Sequence, residues 1–341
     1  MRKNITIVIP SYNEESNIEK LLSSLNEVIV SLNYNFKILF VDDGSRDGTI
    51  VKLKDLARNQ DNLFYIELSR NFGHQNALKA GIDYAKLNSD AVISMDGDLQ
   101  HPPALIPELI ARWEEGYDVV YTVRAETESL SYFKNKTSKW FYSLMNKLSE
   151  IKFEPGTADF RLLDKRVAEV FSDFTENELF IRGIINWVGF SQYAVDYMPQ
   201  DRYSGKSKYT LSKMIRFAIQ GITSFSTRPL YFAVFLGLGL SIFSIVFFSI
   251  YVGYSLYFGH TISGWASVIT AIVFFGCLNL IVLGIIGIYI GKLFMQSKGR
   301  PNYNKKYELS MILLSFDIEE FDMPFEYNRE IAFEDQIRVS A

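Results

Sequence analysis

Over the first 124 residues, apolar and polar positions fall into short blocks with two alternating periods. The runs "ITIVI" (5–9), "FKILFVDDGS" (36–45), "LFYIELS" (63–69), "DAVISMD" (90–96) and "YDVVYTVR" (117–124) are too short and too continuously apolar for helices, and they predict five strands. Between them lie segments with helical spacing. These are 16–32, "GTIVKLKDLARNQ" (48–60), a loop entering a helix in "RNFGHQNALKAGIDYAKL" (70–87), and "PALIPELIARWEEG" (103–116). Strands alternating with helices of this length predict an α/β domain with a mostly parallel sheet covered on both faces.

Farther along, the periodicity vanishes into unbroken apolarity. No Asp, Glu, Lys or Arg occurs between Pro229 and Gly291, and Leu230–Tyr254 and Ala266–Ile290 each supply 25 residues. At about 1.5 Å rise per residue, either can cross a hydrocarbon core about 30 Å thick. Arg202, Lys206, Lys208, Lys213, Arg216 and Arg228 precede the first run, and Lys292, Lys298, Arg300, Lys305 and Lys306 follow the second. Basic flanks at both outer ends predict a hairpin with both termini cytoplasmic and a short outer loop. "YTLSKMIRFAIQGITSF" (209–225) carries an apolar stripe flanked by Lys213 and Arg216, which predicts a helix lying in the membrane interface. The expected divisions are therefore a catalytic-type domain over 1–208, an interfacial helix over 209–228, a two-span hairpin over 229–291 and a tail over 292–341.

Composition narrows this picture. The net charge of -4 over 341 residues hides an acidic tail, because nine acids and two bases follow Tyr307. The remainder is mildly basic, with no polybasic surface suited to nucleic acid. Cys277 stands alone, which excludes an intrachain disulfide and a cysteine-cluster metal site. The N-terminus enters a strand directly and lacks the apolar core of a signal peptide, so the first domain is expected in the cytoplasm.

In a parallel α/β sheet, ligands gather beyond the carboxyl ends of the strands. The unusual polar clusters fall there: Pro10–Glu14, Asp42–Gly44, Arg70–Gln75 and Asp96–Asp98. Neither GxGxxG nor a P-loop is present, so phosphate binding needs another device. "DGD" offers one. Mg²⁺ or Mn²⁺ takes one or two carboxylates together with phosphate oxygens, and would neutralise a departing diphosphate. A solvated acidic turn is the ordinary alternative, and His101, just beyond, reads as a solvated turn residue.

The stretches "PSYNEESNI", "FVDDGSRDGTI", "LSRNFGHQNALKAGI", "MDGDLQHPP", "GTADFRLLDKRV", "FIRGIINWVGF" and "DRYSGKSKYTLSKM", in this order, resemble the polyprenyl-phosphate glycosyltransferases of glycosyltransferase family 2. With the two apolar runs, the resemblance covers roughly residues 4–300. It implies a GT-A type sheet and inverting transfer from a nucleoside-diphosphate sugar, with a UDP-linked hexose favoured. The implied acceptor is polyprenyl phosphate, such as undecaprenyl phosphate, at the inner membrane of a bacterium. Pro10, Tyr12, Glu14 and Asp42, with Asp43 beside them, are implied in nucleotide binding, and Asp96 and Asp98 as the metal pair at the diphosphate. Asp159 is implied as the catalytic carboxylate, with Asp98 also serving the reaction, and Arg202 and Lys208 as phosphate-holding cations. Many relatives read "DADLQDPP", and this chain differs at Gly97 and His101. "FIRG" around Arg182, in place of QxxRW, favours one transfer per acceptor over processive synthesis.

An acceptor phosphate is already largely ionised near neutral pH, its second pKa being about 6. Asp159 is therefore open to three roles: base, orienting group or electrostatic stabiliser. From its residues alone it reads equally as a helix cap or a partner for Arg161. Transfer to a saccharide acceptor and a non-catalytic sugar-nucleotide scaffold are the rival functional classes. Two spans leave room for a homo-oligomer. In the tail, "LSMILLSFDIEEFDMPFEY" resembles the opening of a polysaccharide deacetylase domain without its histidine-bearing metal motif, and is read as an inactive fragment.

Overall fold

A computed structural model describes residues 2–124, 156–176, 179–198, 221–258 and 264–308 of the chain. The interfacial helix lies mostly outside these residues, with 221–225 helical at its end, and the deacetylase-like stretch lies wholly outside them.

The five expected strands form: β1 (Asn4–Ser11), β2 (Asn35–Asp42), β3 (Leu63–Leu68), β4 (Ala91–Ser94) and β5 (Val119–Arg124). Three more join them: β6 (Thr157–Asp164), β7 (Gln192–Tyr197) and β8 (Lys305–Glu308), in the order β7-β5-β6-β4-β1-β2-β3-β8. β1 runs parallel to β2 and β4, and β2 parallel to β3. β6 runs antiparallel to both β4 and β5. The expectation of a mostly parallel sheet thus gives way to a mixed one. The physical cause is β6, whose entry from the far end turns its first residues toward the carboxyl tip of β4.

Helices α1 (Ile18–Ile29), α2 (Thr49–Ala57), α3 (His74–Ala85) and α4 (Ile106–Glu114) match the periodic segments, with ends a few residues inside them, and a short 3-10 turn (Pro103–Leu105) leads into α4. α1 buries Ile18, Leu21, Leu22, Leu25 and Ile29, the stripe its spacing requires. These residues join Ile5, Ile7 and Ile9 of β1, Leu53 of α2 and the buried face of α4 in one core. After β3 the order of strands reverses to the other side of β1. A right-handed crossover then places α3 on the opposite face. There Gly81 of α3 meets β1 so closely that a Cβ would stand 2.2 Å from Val8 Cγ1. Gly81→Ala is therefore expected to destabilise the domain by about 1–3 kcal/mol through overpacking, read as a lower urea midpoint at unchanged m-value.

α5 (Lys165–Ser172) begins at Asp164, whose carboxylate accepts from Arg166 N at 3.0 Å, a side-chain cap on the new helix. α6 (Ile181–Trp187) follows. The two apolar runs form α7 (Arg228–Phe258) and α8 (Trp265–Ser297). Both are long and apolar enough to cross a membrane, and their apolar windows are 6% and 0% buried. A core helix of a soluble domain would be mostly buried, so the low figures set these two apart.

Both outer ends of the hairpin return to the α/β domain. Tyr289 Oη donates to Ser226 O at 2.6 Å, Lys292 Nζ to Ser224 Oγ at 3.1 Å, and Gln296 Nε2 to Thr175 O at 3.1 Å. Tyr303 Oη then reaches Asp83 Oδ2 of α3 at 2.9 Å, and Lys306 of β8 pairs with Glu67 of β3 at 2.7 Å. The chain beyond the second apolar helix therefore contributes an edge strand to the sheet, a part that the division at residue 292 does not foresee.

Candidate active site at the strand tips

The reversal of strand order falls between β1 and β4, the position at which open α/β sheets bind ligands. Loops on the β1–β2 side are stapled together. Asn13, in the left-handed region at φ 56°, donates its N–H to Ser45 Oγ at 2.9 Å and accepts from Arg46 N at 2.9 Å. Glu14 N donates to Thr49 Oγ1 at 2.9 Å, and its carboxylate accepts from Asn17 Nδ2. Gly44, at φ 67°, lies so near the next loop that a Cβ would stand 2.6 Å from the Arg70 carbonyl carbon. Glycine is needed there for both reasons.

The adjacent acids Asp42 and Asp43 have different tasks. Asp43 accepts from Phe72 N at 2.6 Å and Gly73 N at 2.9 Å, so both its oxygens hold the loop that starts α3. Asp42 is equally buried, yet among the described residues only its Oδ2 is engaged, by Ser45 N at 3.2 Å, while Oδ1 is buried without a hydrogen-bond partner there. Burial raises the pKa of each above the usual carboxylate range, against the hydrogen bonds that lower it. An orphaned buried acceptor is costly unless a ligand completes it. Asp42 thus keeps one oxygen unengaged among the described residues, whereas both oxygens of Asp43 hold the loop from which His74 starts α3.

At the tip of β4, Asp98 Oδ1 accepts from Gln100 N at 3.1 Å, and Leu99 is forced to φ 62°. That strained turn brings His101 back beneath Asp96. His101 is fully buried, not solvated as its sequence position suggested. Its ring stacks on Phe160 at 5.3 Å and meets Tyr197 edge-on at 6.0 Å. His101 Nδ1 accepts from Asp96 N at 3.2 Å, which puts the proton of the neutral ring on Nε2, 3.6 Å from Asp96 Oδ2. Burial pushes its pKa down despite the nearby Asp96 carboxylate. Gly97 rests on β1 with room for a Cβ at 3.5 Å from Ser11 Oγ, so the alanine expected in many relatives fits the same backbone.

Because β6 is antiparallel to β4, with Arg161 opposite Ser94, its early residues extend past the β4 tip. Ser94 Oγ fixes the Asp159 carbonyl at 2.7 Å. The Asp159 carboxylate is gripped by Arg182, Nε to Oδ1 at 2.9 Å and Nη2 to Oδ2 at 3.1 Å, and by Arg161 Nη2 at 3.1 Å. Arg161 is 2% exposed and also donates to Ala158 O at 2.9 Å. Burial lowers its pKa to about 10 even beside Asp159. Burial would raise Asp159, but the Arg182 charge, His74 and Arg161 together hold it well below the usual carboxylate range.

His74, the first residue of α3, stands between the two acids, with Nε2 3.4 Å from Asp96 Oδ1 and 3.8 Å from Asp159 Oδ2. Burial of its ring works to lower its pKa, but Asp159 and Asp96 outweigh that and lift it to about 9. Its side chain is 42% exposed, so solvent damps this lift, and the imidazolium remains the favoured form at neutral pH.

The structure therefore unites Asp42, Asp43, Asp96, Asp98 and Asp159 at one end of the sheet, with Pro10, Tyr12 and Glu14 on the β1 side. Arg202 and Lys208 lie outside the described residues. Two cations to which sequence reasoning gave no role, His74 within the Arg70–Gln75 cluster and Arg182, stand between and beside these acids. The only sequence signal for them is a polar residue directly after a strand-tip loop and an arginine inside an otherwise apolar segment. Among the described residues there is no group of three or more metal-ligating side chains. Asp96 and Asp98 alone suit an ion that takes few protein oxygens and completes its shell with phosphate and water, and among the described residues Asp96 Oδ1 makes no hydrogen bond, although His74 Nε2 stands 3.4 Å from it.

Comparison with known proteins agrees with this geometry. The family model for glycosyl transferase family 2 matches residues 6–171. A glycosyltransferase of Synechocystis sp. is 41% identical over 89% of this chain and 95% of its own length. Another from Bacillus subtilis is 40% identical over 87% of this chain and 92% of that one. The bactoprenol glucosyl transferase of Shigella phage SfV is 38% identical over 89% and 98%. With strand-tip acids, a mixed sheet and near full-length identity of this order, the chain belongs to glycosyl transferase family 2.

Proposed function

We propose that the protein transfers a hexose from a UDP-sugar to polyprenyl phosphate, undecaprenyl phosphate in a bacterium, at the cytoplasmic face of the membrane. The observation that carries this reading is that the strand-tip acids and two exposed apolar helices belong to one compact unit. The helices' shared end is hydrogen-bonded to the same domain. The relatives named bactoprenol glucosyl transferases support the acceptor class.

Asp42, with its orphaned oxygen, contacts the ribose or base of the donor, while Pro10, Tyr12 and Glu14 shape the loop around it. Asp96 and Asp98 would hold Mg²⁺ or Mn²⁺, which would supply positive charge to the diphosphate as it leaves. A phosphate oxygen of the lipid attacks the anomeric carbon from the side opposite the diphosphate. The new carbon–oxygen bond forms as the carbon–oxygen bond to the nucleotide breaks, so an α-linked donor yields a β-linked lipid sugar. The bond electrons leave with the nucleoside diphosphate, and an ionised phosphate nucleophile requires no proton transfer. Arg202 and Lys208 belong to the basic segment that meets the lipid phosphate. Both chain ends stay in the cytoplasm, where the basic flanks of the hairpin hold them.

The deciding experiment incubates membranes bearing the full chain with radiolabelled UDP- and GDP-sugars and undecaprenyl phosphate. Label in a butanol-extractable, mild-acid-labile lipid is expected with a UDP-hexose. Label in polysaccharide alone would assign a saccharide acceptor, and binding without turnover would assign a scaffold.

A further inference from the structure

Asp159 is the residue on which a general-base role would rest, yet its surroundings oppose one. Both carboxylate oxygens face guanidinium groups, and Arg182 holds them in a two-pronged fork at 2.9 and 3.1 Å. A carboxylate so held is a poor proton acceptor and a good anchor. Its two arginines are not equivalent. Arg161 is sealed inside the sheet, whereas the Arg182 side chain remains 32% exposed. The Arg182 side chain is therefore partly open to solvent while its guanidinium is held in one orientation by Asp159.

Its location says which anion it meets. Across the sheet, Asp42 ends β2, Asp96 and Asp98 follow β4, and Asp159 opens β6, with β1 between the first two. A donor lying from Asp42 to the Asp96–Asp98 pair leaves the β6 side for the attacking group, as in-line displacement demands. Arg182 stands on that side. It is carried by α6, and α6 abuts the segment that leads into the first apolar helix. Gly183 lies so close to Phe225 that a Cβ would stand 2.4 Å from its ring, and Phe180 meets the same ring at 6.0 Å. Phe225 is three residues before α7 begins at Arg228. One short helix thus links the root of the membrane hairpin to the catalytic cleft.

We propose that Arg182 binds the phosphate of the lipid acceptor and that Asp159 is its positioning residue, acting through the Asp159–Arg182 fork and not as a base. This deepens the lipid-phosphate reading above and rests on it. The planar fork of arginine suits an anion that must be held in one orientation while it attacks, and a lysine ammonium would supply charge without that geometry.

The test uses the full chain in detergent with UDP-sugar and undecaprenyl phosphate, varying each substrate separately. Arg182→Ala is expected to raise KM for the lipid phosphate about tenfold or more, with KM for the donor and metal-dependent UDP binding within about twofold of wild type. Asp159→Asn is expected to raise acceptor KM in the same direction, and the double variant to be no worse than the poorer single one, because the two act as a unit. Equal rises in both KM values, or an unchanged acceptor KM, would make Arg182 a structural brace and overturn the assignment. Loss of kcat in Asp159→Asn with acceptor KM intact would restore the base and also overturn it. If Arg182→Ala fails to bind UDP and so has not folded, Arg182→Lys is read in the same assay, with an acceptor-KM rise of about threefold expected. Failure of the wild-type chain to label any lipid would instead remove the functional reading itself, a different result from normal transfer by wild type with an insensitive Arg182 variant.

Discussion

Asp96→Asn is expected to cut sugar transfer by about a hundredfold while leaving the domain folded. The side chain keeps its shape, and the hydrogen bond that ties this turn to His101 uses the Asp96 backbone N–H, which the substitution spares. What disappears is one negative charge at the tip of β4. An amide oxygen is a weaker ligand for a hard divalent ion than a carboxylate oxygen. UDP affinity should therefore fall in the presence of Mn²⁺ and stay unchanged in its absence. Initial rates across Mg²⁺ and Mn²⁺ titrations check this. A variant with wild-type rates at every concentration would dissociate Asp96 from the metal.

Arg161→Met is expected to have the largest effect on stability. The methionine fills part of the volume but withdraws a buried guanidinium from Asp159 and from the Ala158 carbonyl. Breaking a buried ion pair on one side costs about 3–5 kcal/mol, and the surviving Arg182 contact keeps this case near the lower figure. The loss also depends on pH. Asp159 has a folded pKa below its unfolded value, so its contribution is fully present above the unfolded value of about 3.9 and fades as pH falls toward the folded one. Removing Arg161 shrinks that depression. Urea unfolding at pH 7 should show the lower midpoint of the variant, and the gap should narrow only once the pH falls through the variant's own folded Asp159 pKa, because the unfolded-state titration is common to both chains. A variant as stable as wild type at pH 7 would mean that Arg161 does not help to hold the buried Asp159 carboxylate.

The five strands read from apolar runs are the ones whose burial is continuous and uncharged in the middle, and each formed where its pattern lay. β6 escaped the pattern because its core-facing positions include Asp159 and Arg161, a pair that satisfies itself inside the sheet. A charged dipeptide spacing normally marks a surface, and only the partner across space reveals otherwise. β7 and β8 are short and partly exposed, and their pairing depends on neighbours distant in sequence. Asp42, Asp43, Asp96 and Asp98 were legible because they sit at the ends of predicted strands, whereas Asp159 was marked only by the family resemblance. The partners of His74 and Arg182 and the burial of His101 were not legible, since each is defined by contacts across 22 or more residues or by a left-handed turn at Leu99. The division of labour between Asp42 and Asp43 is likewise invisible in "VDDG". It arises from which of the two faces the Phe72–Gly73 amides.

The strand β8 changes what a shortened protein would be. Cutting the chain after its second apolar helix would look, on a hydropathy plot, like trimming a loose end. It would instead strip the outer rail from the sheet, uncover the hydrogen-bonding edge of β3, and leave Glu67 facing Asp42 with one fewer counter-ion. Preparations ending near residue 300 would then be prone to strand-to-strand aggregation, and they would lack the Tyr303–Asp83 and Lys306–Glu67 contacts that fasten the end of the second apolar helix to the α/β domain.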